Sequence, residues 1–491
     1  MTMPSLHAAS IVVEPAHKLA VPPPSPTTLP NGVDNPYAGS SYTPRLESPG
    51  KPLETVYVPL GEGISDELRE IGKRRGFVVD DSSDQSKALS KSFRWIEDAS
   101  ILFRNQKGTG LSLLTSTVTG ADFERARSAA EDAYGIRGYK MTGALGSIGL
   151  SFLYEPTYSA ELARDAKAAG WDVKKTPLAI DGGNMLMTSN KDGDPVALVG
   201  KNSVLVNWQI LKGQGQIDQK EVQKIIGQCQ YDGALAIEFR VASVRGKGDT
   251  EPQSGGSSAG AGKSGQNNFG LSEKESIQMA AEFEYTRRQI AITLNLPANR
   301  VLSIEQAGFH IDMETRPIGK GRVMVSDLNE SIVALDAAIA AEKKNPSVIA
   351  GAKNGILENL TELRTITNES ISQGNQALLD RKAKTLADAG FEVVRAPTNY
   401  GGIGRQSSGD LDDINFANGI AATDKDGKTY FITNRSTIGS VLERNFEKRM
   451  ESLGIEVEWA PTGSKLGAQG GLDCLTKEAM VLLRNDLSSN A

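Results

Sequence analysis

Histidine and cysteine are nearly absent from this chain of 491 residues, which holds three of the first and two of the second. His7 and His17 fall within the first seventeen residues, so His310 stands alone in all the rest. Cys229 and Cys474 are far apart in sequence and cannot build a disulfide framework, so Cys474 reads as a free thiol suited to a reducing compartment. No run of eighteen or more apolar residues occurs, which excludes a membrane-spanning helix in the sequence. Positive charge is not in excess either. The net charge of −6 argues against binding driven by nucleic-acid phosphates. The N-terminus lacks the charged-then-apolar pattern of a secretory signal, and its first arginine is Arg45, so a mitochondrial leader is not expected. Chemistry that needs both a thiolate and an imidazole is left with almost one place to go.

What is present suffices for a large core. Apolar residues make up 39% of the chain, enough for one large domain or two to three ordinary ones. Residues 1–52 hold 11 of the 21 prolines with much Ser and Thr, a composition that buries too little apolar surface to offset ordering. A disordered leader is expected there, followed by a single catalytic domain over 53–491. A Gly/Ser-rich stretch at 246–270 reads as a flexible insertion. It contains Gly262-Lys263-Ser264, but Ser257 stands where a phosphate-binding loop needs its first glycine, and no apolar strand leads in.

A module recurs along the rest. Gly170, Gly390 and Gly454 each follow a helical stretch, each precedes an alternating segment, and each is followed seven residues later by proline, at Pro177, Pro397 and Pro461. Gly76-Phe77-Val78-Val79 is a shorter version. Glycine ends a helix in the left-handed conformation without a Cβ clash, alternation marks a half-buried strand, and proline stops it. An α/β fold of pseudo-repeated helix–strand modules is expected, with strand ends converging on a central cavity.

Four segments carry the polar residues that such a cavity would collect. They are Trp95-Ile96-Glu97-Asp98, Asp181-Gly182-Gly183-Asn184, His310-Ile311-Asp312 with Arg316 six after the histidine, and Gly470-Gly471-Leu472-Asp473-Cys474. Within a strand, His310 and Asp312 would share one face.

In order and spacing these segments resemble the guanidino-group-modifying enzymes of the pentein superfamily, nearest to agmatine deiminase and the bacterial peptidylarginine deiminases and more distantly to amidinotransferases. The resemblance covers about residues 55 to 480. It implies a five-bladed α/β propeller around a central active-site cavity and a cysteine-dependent hydrolysis of a guanidino C–N bond. By the same resemblance Cys474, His310 and Asp181 are catalytic, while Asp98, Asp312, Asn184 and Arg316 bind substrate; Asp312 reads equally as the group orienting His310, and Arg316 as the partner of a buried acid. Asn415-Phe416-Ala417-Asn418-Gly419 is also similar to a family segment near the site, and reads equally as a turn. Two positions depart from the family pattern: Glu97 stands where it usually carries arginine, and Asp473 precedes the nucleophile. Strand alternation is expected to turn Asp473 away from the sulfur.

The chemistry fits the residue types. A guanidinium is planar and cationic, so carboxylates hold it by charge-assisted bidentate hydrogen bonds. A thiolate attacks its carbon, and a histidine protonates the departing amine and then activates water. No metal and no organic cofactor is required. The expected partner is a small cationic guanidino substrate or a protein arginine, with no nucleic acid and no membrane; the oligomeric state is unknown. Two alternatives stand beside hydrolysis. Amidino transfer would use the same Cys474 and His310, and His310-Ile311-Asp312 followed by Pro317-Ile318-Gly319 is similar to amidinotransferases. A catalytically silent pentein that only binds partners is the other. A cytoplasmic location is expected, although the Ser/Pro/Thr-rich leader resembles that of bacterial effectors exported by type III secretion.

Overall fold

The computed structural model describes residues 42–44, 52–59, 61, 63–91, 96–105, 111–134, 157–232, 273–308, 310–319, 321–344, 350–400, 414–436, 440–462 and 471–480. The leader, apart from 42–44 and Pro52, lies outside these residues, as do the 246–270 insertion, Trp95 and the side chain of Cys229.

The chain opens with strands β1 (Tyr42–Pro44) and β2 (Leu53–Tyr57), helix α1 (Ser65–Arg75), strand β3 (Val78–Asp80) and the short helix α2 (Asp84–Ser90). From there one plan recurs. Two strands pair antiparallel, one or more helices cross over, and a third strand joins the second in parallel. In the second module these are β4 (Ile101–Asn105), β5 (Leu111–Ser116), helices α3 (Gly120–Tyr134) and α4 (Thr157–Ala168), and β6 (Asp172–Thr176); β1 flanks β4. In the third they are β7 (Met185–Ser189), β8 (Pro195–Gly200), helices α5 (Lys201–Gly213), α6 (Gln219–Asp232) and α7 (Glu273–Thr293), and β9 (Val301–Ile304). The fourth has β10 (Thr315–Gly319), β11 (Arg322–Ser326), α8 (Leu328–Lys344), α9 (Ala350–Ser372), α10 (Asn375–Asp388) and β12 (Glu392–Ala396). The fifth has β13 (Gly419–Thr423), β14 (Thr429–Asn434), α11 (Ser440–Glu451) and β15 (Glu456–Ala460).

The first module completes the set with a strand from the far end of the chain. β16 (Lys477–Met480) pairs antiparallel with β2, and β2 pairs in parallel with β3 after α1. The hairpin of this module is therefore made of two segments that no turn connects.

The repeated glycines do what their positions suggest. Gly76, Gly170, Gly390 and Gly454 have φ of 89°, 89°, 88° and 73°, and β3, β6, β12 and β15 follow them as the parallel third strands. The remaining third strand, β9, is reached without glycine. After α7 the left-handed position is Asn295, with φ 54°. Asparagine tolerates that region because its short polar side chain bonds locally.

Among the described residues no sheet closes on itself, and each is too small to bury both faces alone. The apolar side chains instead pack between modules. One cluster joins Tyr57 and Ala479 of the first module to Leu102, Leu113 and Leu162 of the second. Others join the second to the third through Phe103 and Met185, and the third to the fourth through Leu198 and Val323. Met324 and Phe431 lie in a cluster shared by the fourth and fifth, and Ile420 and Val56 in one shared by the fifth and first. These clusters run in a cyclic order, each joining one module to the next.

Candidate active site

Each module begins with a short irregular segment just before its first strand, and these five segments meet. Ile96–Ser100 precedes β4, Asp181–Asn184 precedes β7, and His310–Glu314 precedes β10. Asn415–Asn418 precedes β13 and Gly471–Thr476 precedes β16. Hydrogen bonds link them in a closed circuit. The Glu97 amide donates to the Cys474 carbonyl at 3.3 Å, and the Gly182 amide to the Asp98 carbonyl at 3.1 Å. The Ile311 amide donates to Asn184 Oδ1 at 3.1 Å, and Asn415 Nδ2 to the Met313 carbonyl at 2.8 Å. The Asp473 amide donates to Asn418 Oδ1 at 3.0 Å, which returns the circuit to its start.

Glycine permits this close approach. A Cβ on Gly182 would collide with the Glu97 carbonyl oxygen, and one on Gly183 would collide with the His310 ring and lie 2.9 Å from Asp98 Oδ1.

Inside the circuit, Asp98, His310 and Cys474 each place a reactive atom within 4.8 Å of the other two. His310 Nε2 lies 3.0 Å from Asp181 Oδ1, and Nδ1 lies 3.6 Å from Asp98 Oδ1 and 4.0 Å from Asp312 Oδ1. The Cys474 thiol donates to Asp312 Oδ2 at 3.4 Å. All five are buried, with Cys474 only 1% exposed. The segments expected to supply these groups thus bring them together.

Local geometry departs from expectation in three ways. His310 is a single extended residue, φ −125° and ψ 144°, leading into a 3-10 turn over Ile311–Met313. Asp312 sits on that turn, so it reaches the histidine by turn geometry and not by strand alternation. Asp473 also lies in a turn, and a partner directs it rather than alternation. Both its oxygens are gripped by Arg316, at 2.5 Å each. Of the two readings of Arg316, a substrate carboxylate or a buried acid as partner, the pairing seen is with the acid beside the nucleophile. Asn184 is likewise engaged at both ends, donating to Asp181 Oδ2 at 2.8 Å while accepting from Ile311. Its place is behind Asp181.

Two more buried ion pairs back the site, and the motif reading had not located their cations. Lys477 Nζ lies 3.0 Å from Glu97 Oε2 and also donates to the Glu97 and Ser100 carbonyls. Glu97, the first departure from the family pattern, is thereby matched by a cation three residues after Cys474. Lys382, on α10, pairs with Glu314. Nothing in the spacing of Lys382 or Lys477 marks them as partners of these acids.

Electrostatics follow from burial and proximity. Burial opposes charge on His310, but Asp181, Asp98 and Asp312 together overcome it and raise its pKa to about 10. Burial pushes Asp98 well up, and neighbouring Asp181 and Asp312 push it further against the pull of His310. Asp312 is raised by burial, opposed by His310 and Arg316. Burial also pushes the Cys474 thiol well up, with Asp312, Asp98 and Asp473 adding to the effect. These directions favour a protonated His310, a Cys474 thiol, and neutral carboxyls at Asp98 and Asp312.

No protein-family model and no curated protein matches this chain. Solved structures do. The chain is similar in structure to agmatine deiminases. The agmatine deiminase of C. jejuni has 11% identity and a TM-score of 0.41 over 90% of this chain and 97% of its own. That of Enterococcus faecalis has 12% identity and a TM-score of 0.39 over 89% and 95%. SxtG, an amidinotransferase from Microseira wollei, has 12% identity and a TM-score of 0.35 over 92% and 98%.

Proposed function

We propose that this protein is a pentein-type deiminase, its five modules acting as the blades of an α/β propeller, and that it hydrolyses a guanidino C–N bond through Cys474. The observation that carries the reading is the buried cluster of one thiol, one imidazole and three carboxyls, drawn from four modules. A thiol and a protonated imidazole within reach of one carbon suit nucleophilic attack with proton donation to a leaving amine. The acids suit a planar cation.

Asp98 and Asp181 hold the guanidinium by its nitrogens, and Asp312 faces both the nucleophile and His310. The thiol proton passes to Asp312, its acceptor at 3.4 Å, and the incoming cation favours the resulting thiolate on Cys474. The sulfur attacks the guanidinium carbon, and a C–S bond forms. His310 gives its proton to the departing nitrogen as the C–N bond breaks, releasing ammonia or an amine. The amidino group then remains on sulfur as a thioether. Neutral His310 takes a proton from water, the oxygen attacks the same carbon, and the C–S bond breaks. A ureido product leaves and the thiolate returns. Every group in this cycle belongs to the chain or the substrate, so dialysis against a chelator is expected to leave the rate unchanged.

The test is incubation with arginine, agmatine and an arginine-containing protein, with ammonia assayed and the ureido product identified by mass spectrometry. Cys474→Ser is expected to abolish both signals. Activity that survives in that variant removes Cys474 from the reaction. Arginine supplied with glycine separates hydrolysis from amidino transfer, since transfer yields ornithine and hydrolysis yields citrulline.

A further inference from the structure

Cys474 lies in surroundings that oppose its ionisation: it is buried, and acids approach from three of the five segments. A sulfur that must carry negative charge in such a place needs neutral donors aimed at it. The structure supplies one in the segment that the sequence left open between a turn and a place near the site. Asn418 Nδ2 donates to Cys474 Sγ at 3.3 Å and to Asp312 Oδ2 at 2.7 Å. We propose that Asn418 is a catalytic residue, its amide holding the sulfur and Asp312 in register and stabilising negative charge on sulfur during attack and release. The proposal rests on Cys474 being the nucleophile of the reaction above.

Three observations support it. The amide can face only one way. Its Oδ1 accepts from the Asp473 backbone, so its nitrogen must point toward sulfur and Asp312. The residue is also anchored along its backbone. Its own amide donates to Asn415 Oδ1 at 3.2 Å, and its carbonyl accepts from Asn434 Nδ2 at 2.7 Å. Finally, it shares its place in the module with Asn184. Both directly precede the first strand, both accept a backbone amide of another module's segment, and both donate to an acid of the site. What differs is the sulfur, which only the Asn418 nitrogen reaches among the two. The same structural device has acquired a contact with the reacting atom.

The test reads the sulfur directly and needs no guanidino substrate. The pH profile of Cys474 alkylation by iodoacetamide, followed by peptide mass spectrometry, reports its thiolate fraction, since limited access to the buried sulfur scales the rate equally at every pH. Asn418→Ala removes the donor, and the midpoint of the profile is expected to rise by about one pH unit, with a rate about tenfold lower below it. Asn434→Ala loosens the same turn and leaves the donor in place. Asn434 accepts from the Leu472 amide at 2.9 Å and does not touch the sulfur. Its effect on the profile is expected to be several-fold smaller. An unchanged profile in Asn418→Ala overturns the proposal. So does an equal shift in both variants, which would make Asn418 a purely structural support. Should Asn418→Ala not fold, Asn418→Ser fills more of the space and carries the same comparison. A protein that shows the alkylation difference but no ureido product would keep Asn418 as the donor to the Cys474 sulfur and lose the deiminase reading, and with it the catalytic role.

Discussion

At the scale of the residue, one imidazole answers for both activity and pH response. His310 carries its proton up to about 10 because three acids outweigh the cost of burying its charge. The pH profile of kcat/KM, which reports the free enzyme, is expected to rise with pH as Cys474 ionises and to fall again as His310 loses its proton. An alkaline limb centred near neutrality would show that some other group donates the proton. The same shift affects stability. A folded pKa above the unfolded value of about 6.5 means that His310 stabilises the fold fully below that pH. The contribution is lost as pH rises through about 10. Denaturant midpoints of wild type and His310→Gln, compared across that interval, should therefore converge as pH rises. Asp98 makes the opposite point. Burial raises its pKa, so Asp98→Asn is expected to abolish ammonia release while changing the melting temperature little, since relief of a buried acid offsets the support lost by His310. A clear fall in melting temperature would mean that Asp98 is chiefly structural.

At the scale of the element, the glycine-ended helices were the readable part. Four of the five parallel strands could be placed from a glycine and the alternation after it, because a backbone that must turn left-handed leaves its mark in the sequence. β9 escaped because Asn295 takes the left-handed place, and asparagine is common in ordinary turns too. Asn295→Ala is expected to destabilise the protein by about 1–2 kcal/mol, the cost of a Cβ in that region without local compensation. Asn295→Gly should be far milder in a denaturant titration. The segments before the first strands were readable in composition but not in shape. His310-Ile311-Asp312 has the spacing of a strand face, yet it turns, because the circuit of hydrogen bonds claims its backbone through Asn184. Gly183 is legible only with hindsight: His310 occupies the space its side chain would fill. Gly183→Ala should displace the ring and lower the rate by about 100-fold, the scale on which small misplacements of reacting groups are felt, and a near-normal rate would show that the ring can shift without loss.

At the scale of the whole molecule, the least legible feature is how the ends meet. No local pattern says that β16 completes a sheet begun some 420 residues earlier by β2, since partners without a connecting turn leave no shared signal between them. Nor does spacing reveal that Glu97 and Lys477, 380 residues apart, form a buried pair beside the nucleophile. Their position makes them the natural place to probe the closure. Glu97 donates its amide to the Cys474 carbonyl, and Lys477 is the first residue of the strand that follows Cys474. Replacing one partner leaves the other charge buried without compensation, a loss of about 3–5 kcal/mol. Lys477→Met is therefore expected to destabilise the fold by that order and to depress activity with it. Glu97→Gln combined with Lys477→Met removes both charges, and the cost of the pair should be well below the sum of the two single changes, as residues in contact require. A double-mutant cycle read by denaturant midpoint and by ammonia release decides the matter. If the two losses simply add, Glu97 and Lys477 act independently, and the ends of the chain are held by β16 and its apolar packing alone.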